Sequence, residues 1–148
     1  VKLMDADNAN EVEKIVNDKE EVYTKPEISD PVVSQQTITQ LTAMLINVVD
    51  KGFNSVAKIP GYYLAGKTGT AQVPLKNGKG YEPDKTIQSF VGFGPAYNPQ
   101  FLVFFFSIDP KDARDASQTW TAPFSETARF LISYYAIPPD RVAPLREE

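Results

Sequence analysis

The chain has 148 residues, room for one domain and hardly two. Hydrophobic residues make up 42% and charged ones 23%, which excludes a wholly disordered chain, and a net charge of −4 argues against a nucleic-acid surface. There is no cysteine and no histidine, so disulfides, thiolates, imidazole bases and histidine metal sites are excluded, and acid–base work falls to Lys, Asp, Glu or Tyr.

No apolar run approaches the roughly 20 residues that a membrane span needs. Val1 to Asp5 is neither a charged n-region nor an apolar h-region, and the chain opens on Val1 rather than Met, so a piece of something longer is expected. Up to Pro31 the sequence is polar. Glu11 to Val16 and Glu21 to Thr24 have the β-prone character of two short strands around Asn17-Asp18-Lys19-Glu20, a small hairpin. Ser34 to Lys51 is the clearest helix. Ile38, Leu41, Leu45, Val48 and Val49 recur at helical spacing as a core-facing stripe, Ser34 caps the start, and Gly52 is placed for a left-handed C-terminal residue.

After the turn at Ile59-Pro60-Gly61, Tyr62 to Val73 reads as a strand and Pro74 to Lys85 as a loop. Thr86 to Phe93 reads as a second strand, and Gly94 to Pro99 as a tight connection. Phe101 to Ile108 is nearly all apolar, the pattern of a strand covered on both faces. A polar loop follows, then a helix over Thr121 to Tyr135 with Pro123 in its first turn and Phe124, Ala128, Leu131, Ile132 and Tyr135 on its apolar side. Pro138-Pro139 ends it, and the tail to Glu148 is expected to be loose. The order is hairpin, helix, three antiparallel strands, helix: an α+β fold with an antiparallel sheet flanked by helices.

Gly61 to Thr70 carries the chemistry and admits two incompatible functional readings. Gly61 followed by Gly66-Lys67-Thr68 has the spacing of a phosphate-binding loop, and Phe104 to Asp109 resembles the apolar strand whose final Asp would hold Mg²⁺. A helix must follow such a Lys-Thr pair to supply the anion site, yet Gly69 to Pro74 continues as strand. The other reading takes Lys67-Thr68-Gly69 as the Lys-Thr-Gly box of active-site-serine acyl transferases. On a strand, Lys67 and Gly69 share one face and Thr68 and Thr70 the other. The ammonium can attract a substrate carboxylate, a threonine hydroxyl can hydrogen-bond it, and Gly69 leaves room against the backbone. A lysine on an exposed strand between flexible glycines is the plain alternative, and a bare triplet favours it.

The wider context changes that balance. Ile59 to Val73 closely resembles the third-motif region of monofunctional, class B-like penicillin-binding proteins. Ser89 to Ala96 looks like their next strand and turn, Phe101 to Asp109 like the strand after it, Thr121-Ala122-Pro123-Phe124 like the start of their last helix, and Ile137 to Asp140 like the tail beyond it. The resemblance implies a partial β-lactamase/transpeptidase-like fold. Residues 1–148 would be the C-terminal portion of a transpeptidase domain: hairpin region 1–33, helix 34–51, three-strand meander 62–109 and C-terminal helix 121–136. It implies a peptidoglycan D,D-transpeptidase that attacks a D-Ala-D-Ala stem peptide with serine, passes the acyl group to a neighbouring stem, and is trapped by β-lactams. Lys67, Thr68, Gly69 and Thr70 would bind substrate. Lys67 would join the proton relay, and Thr70 would also give a backbone N–H to the oxyanion hole.

No metal or cofactor is implied. The implied partners are the stem peptide, β-lactams, the missing N-terminal part of the domain, and divisome or elongasome proteins, with a lean towards division and no nucleic acid. A membrane anchor with the catalytic domain on the periplasmic side is implied too. The departures concern the nucleophile. Ser55-Val56-Ala57-Lys58 spells Ser-x-x-Lys, but it follows the wrong helix and lies too close to Lys67, and no Ser-x-Asn box is present. Gly52-Phe53-Asn54 also stands where many relatives carry Gly-Thr-Gly. The chain alone is expected to be inactive. A non-catalytic module of the same fold is the alternative, and a serine β-lactamase fits less well.

Overall fold

The computed structural model describes residues 14–16, 21–23, 30–76, 78–111 and 113–141. Strand β1 (Lys14–Val16) pairs antiparallel with β2 (Glu21–Tyr23), Ile15 opposite Val22. The expected hairpin is present there, while its flanks, its turn and the tail beyond 141 lie outside the described residues.

Helix α1 spans Gln35–Lys51. Ser34 caps it as expected, its Oγ accepting the Thr37 N–H at 3.2 Å. Only the C-terminal half of its apolar stripe is packed. Ile46 and Val49 are buried, whereas Ile38 and Leu41 are exposed. Gly52 corrects another expectation, since it is extended rather than left-handed. Its glycine identity has a different cause: a Cβ there would stand 2.3 Å from the Val48 carbonyl oxygen, which accepts the Gly52 N–H. The left-handed residues come next, at Phe53, Asn54 and Ser55 (φ 53°, 51° and 59°).

Strands β3 (Ala65–Pro74), β4 (Tyr81–Gly94) and β5 (Phe101–Ile108) form an antiparallel sheet in that order. β3 starts at Ala65, not Tyr62, because the preceding residues bond elsewhere. Tyr62 Oη donates to the Ile137 carbonyl and the Tyr63 N–H to Asp140, while the Tyr63 carbonyl accepts the Ala96 N–H. The expected loop Pro74 to Lys85 shrinks to a turn, since Pro74 pairs with Tyr81 across an irregularity that follows Gln72.

The register sorts the side chains. Lys67, Val91 and Phe104 form one cross-strand row, and Gly69, Ser89 and Phe106 the next, on one face. Thr68, Phe90 and Phe105, and then Thr70, Gln88 and Ser107, occupy the other. Helix α2 (Ala116–Tyr134) covers this second face. Phe124 lies 4.7 Å from Phe90 between ring centroids, and Trp120 stacks on Phe105 at 5.1 Å. Among the described residues, the first face is covered only near the start of β3, where Leu45 and Ile46 of α1 pack on Ala65 and Phe93. Leu102, Phe104, Phe106 and Ile108 stay exposed, so β5 is covered on one face and not on both.

α2 begins five residues before the expected Thr121. Asp115 is its cap, accepting the Ser117 and Gln118 N–H groups, and Pro123 therefore lies inside the helix rather than in its first turn. The proline denies the Thr119 carbonyl its usual donor. The apolar side is otherwise as expected, with Phe124, Ala128 and Ile132 buried, but Tyr135 is exposed.

Candidate active site

The four candidate residues follow one another in the first half of β3. Lys67 is exposed, and its Nζ folds back to donate to the Thr68 carbonyl at 2.8 Å. That carbonyl is the only acceptor the ammonium reaches among the described residues, and no carboxylate neutralises it. Thr68 and Gly69 are half-buried. Gly69 keeps the space taken by its cross-strand partner, since a Cβ there would meet Ser89 Oγ at 2.6 Å unless that hydroxyl turned away. Thr70 Oγ1 accepts the Ala116 N–H, the first of α2, at 3.1 Å. The alternation read from the sequence holds: the ammonium lies on the uncovered face and the threonine hydroxyls on the face of α2.

This geometry removes the phosphate-loop reading. Lys67 and Thr68 stand within a strand, and the next helix begins only at Ala116. Gly61 sits in a turn held by the Asp140 and Arg141 N–H groups. Ser55 is equally unsuited as a nucleophile. It lies in the left-handed turn after α1, and its hydroxyl donates to the Asp50 carbonyl at 2.9 Å.

Behind the threonines lies a polar hub that sequence reasoning missed. Gln88 is fully buried, with its Nε2 donating to Thr86 Oγ1 and to the Ala113 carbonyl while its Oε1 accepts from Thr119. The Trp120 indole donates to the Gln88 carbonyl at 3.3 Å. A signal for it existed, because Gln88 shares the face of Phe90, two residues on. The cap of α2 was legible too, in Asp115 followed by Gln118 three residues later. The Asp115 carboxyl is held below the usual aspartate range, first by the Ser117 hydroxyl and then by the Ser117 and Gln118 N–H groups, against an opposing contribution from burial.

Surface recesses among the described residues lie elsewhere. One of about 560 Å³ runs along Pro83, Thr86, Asp109 and Arg114, and one of about 460 Å³ lies between Tyr97, Tyr135 and Pro138. Neither is lined by Lys67, Thr68, Gly69 or Thr70. The candidate residues border an open sheet face and a strand edge with no partner among the described residues. No group of three or more Asp and Glu side chains able to hold a metal ion occurs among the described residues.

A lysine on a sheet-bordering strand, with Thr-Gly-Thr after it, is the placement that the Lys-Thr-Gly reading expects. Residues 6–127 match the penicillin binding protein transpeptidase domain, and the chain belongs to that family. It is 39% identical over 92 residues to stage V sporulation protein D of Bacillus subtilis, covering 62% of this chain and 14% of that protein. It is 36% identical over 110 residues to a probable peptidoglycan D,D-transpeptidase, PbpC, of Pseudomonas aeruginosa, covering 72% of this chain and 19% of that protein. Among solved structures, the transpeptidase domain of penicillin-binding protein 3 from Burkholderia pseudomallei superposes with a TM-score of 0.64 at 29% identity, over 86% of this chain and 37% of that one. Penicillin-binding protein 3 from Mycobacterium tuberculosis, complexed with ampicillin, gives 0.66 at 27%, over 90% and 32%. The chain thus spans less than a fifth of these curated relatives and about a third of these solved chains.

Proposed function

We propose that this chain is one wall of the active site of a peptidoglycan D,D-transpeptidase, and that another part of the same domain brings the serine to it. The observation that carries the reading is the row Lys67–Val91–Phe104. The ammonium leaves an outer strand on the face where Phe104 and Phe106 have no cover among the described residues. Any element that buries Val91, Phe104 and Phe106 passes beside Lys67, so the cover and the nucleophile arrive together.

In this reading Lys67 attracts the carboxylate of a D-Ala-D-Ala stem and shares in the proton relay, exchanging its bond to the Thr68 carbonyl for these partners. The carboxylate sits at the free edge of β3, where Lys67 reaches it from one face and the hydroxyls of Thr68 and Thr70 donate to it from the other. Gly69 lets the peptide lie flat against β3, whose free edge can pair with it as an added strand. In a strand the N–H and C=O of one residue point to one edge, and residues two apart share that edge. The Thr70 N–H therefore faces the same way as the Thr68 carbonyl, and it serves the oxyanion hole. That hole stabilises charge that develops only in the transition state.

The serine attacks the stem peptide, the terminal D-Ala departs with the serine's proton, and the acyl group passes to an amine of a neighbouring stem. A β-lactam acylates the same serine and stays. The chain alone lacks this nucleophile and is inactive. The whole protein is anchored in the cytoplasmic membrane with its catalytic domain on the extracytoplasmic side, and it works with division or elongation proteins. Support for penicillin as ligand comes from the ampicillin complex of the mycobacterial relative.

Labelling of the full-length protein with a fluorescent penicillin tests the reading. Wild-type protein is labelled and a folded Lys67→Ala variant is not. Equal labelling of the two would remove Lys67 from its assigned role.

A further inference from the structure

Among the described residues, Gln88 is the fully buried polar residue whose side chain bridges the sheet and the approach to α2. Outside β4, its side-chain contacts fall near one point of the chain. Ala113, whose carbonyl accepts from Nε2, precedes Ala116 by three residues, and Thr119, which donates to Oε1, follows it by three. Trp120 then closes on the Gln88 backbone. Between these fastenings the Ala116 N–H lands on Thr70 Oγ1, and Thr70 is the cross-strand partner of Gln88. With the helix N–H on its oxygen, the Thr70 hydroxyl has its hydrogen left to give.

We propose that Gln88 is a positioning residue for Thr70, fastening the first turn of α2 so that the Ala116 N–H holds the Thr70 hydroxyl as a donor to the substrate carboxylate. This rests on the transpeptidase reading above. Gln88 touches no substrate and acts through two intervening groups. The geometry is economical, because no side chain other than Gln88 ties both Ala113 and Thr119 to β4 among the described residues. Without it the two fastenings on either side of Ala116 are released together. The Thr70 hydroxyl then rotates freely between donor and acceptor orientations.

The test is saturation kinetics of acylation of the full-length protein by a penicillin that bears a carboxylate, which separates the binding constant from the acylation rate at saturation. Gln88→Leu keeps the volume and removes the bonds. It should weaken binding about tenfold, the order of one hydrogen bond to a charged group, with the saturated rate little changed. Thr70→Val should do the same, and the double variant should be no worse than either single one. Thr70→Ser should restore binding. Ala116→Pro removes the helix N–H at the first helical position, where proline is tolerated, and should reproduce the Gln88→Leu binding loss if that variant fails to fold.

Losses that multiply in the double variant would overturn the proposal, as would unchanged binding in a folded Gln88→Leu or Ala116→Pro protein. A wild-type protein that no penicillin acylates would instead strike the transpeptidase reading. Amide hydrogen exchange at Ala116 reads the fastening without any substrate, and it should quicken in Gln88→Leu.

Discussion

The two faces of the sheet are built from the same strands and live in different surroundings. Under α2, Phe90, Gln88 and Phe124 are buried to completion, and glycine at 92 is required because a Cβ would stand 2.4 Å from the Phe124 ring. On the opposite face Phe104 is 61% exposed and Phe106 52%, and the two rings stack on each other rather than on a covering element. The closed face carries the scaffold and the open face carries Lys67. A one-residue slip in β3 would move its side chains to the opposite faces, so the register against β4 decides which face carries Lys67.

The largest effect that sharpens this contrast is on activity. Lys67→Ala should lower penicillin acylation of the full-length protein by about 10²–10³-fold, as removal of a charge-stabilising group in a preorganised site does, measured as the second-order labelling rate. The next compares the faces directly. Phe90→Ala on the closed face should cost about 3–5 kcal/mol in denaturant unfolding, whereas Phe104→Ser on the open face should change the stability of this chain by less than about 0.5 kcal/mol. Equal losses would mean that the open face is packed in solution.

Third, Arg141→Ala should cost about 3 kcal/mol, because it leaves Asp50 without its 2.7 Å partner where both side chains are mostly buried. Arg141 also lies 3.9 Å over the Tyr63 ring, so the loss should reach the lead-in to β3. The smallest effect concerns the cap. Asp115→Ala should cost about 1 kcal/mol at neutral pH. Because the folded carboxyl is held below its ordinary value, its contribution is complete above the usual aspartate pKa of about 4 and drains as pH falls through the lower folded value. Asp115→Asn should flatten that part of the stability–pH curve.

Much of this was legible beforehand, for physical reasons that differ by element. Period-two alternation put Lys67 and the threonines on opposite faces, and the meander followed from three strand patterns with short links. Where the reading missed, the cause lay in contacts distant in sequence. Nothing local announces that Tyr62 and Tyr63 bond to Ile137 and Asp140, so β3 was started too early. Apolar content cannot distinguish a face that is covered from one that awaits a cover, and the exposed half of β5 was therefore placed in a core. Pro123 signals a first turn from the sequence alone, yet Asp115, read there as part of a loop, accepts two N–H groups and starts the helix earlier.

The bonds of Tyr62 and Tyr63 join residues 75 and 77 positions apart, and the Asp50–Arg141 pair spans 91. A ribosome delivers the lead-in to β3 long before it delivers Ile137, Asp140 and Arg141. The strand that holds the ammonium can pair with β4 early, but its entry is fastened only when the end of α2 and the residues after it have emerged. During synthesis the entry to this strand is thus fastened only by residues that emerge 75 and 77 positions later.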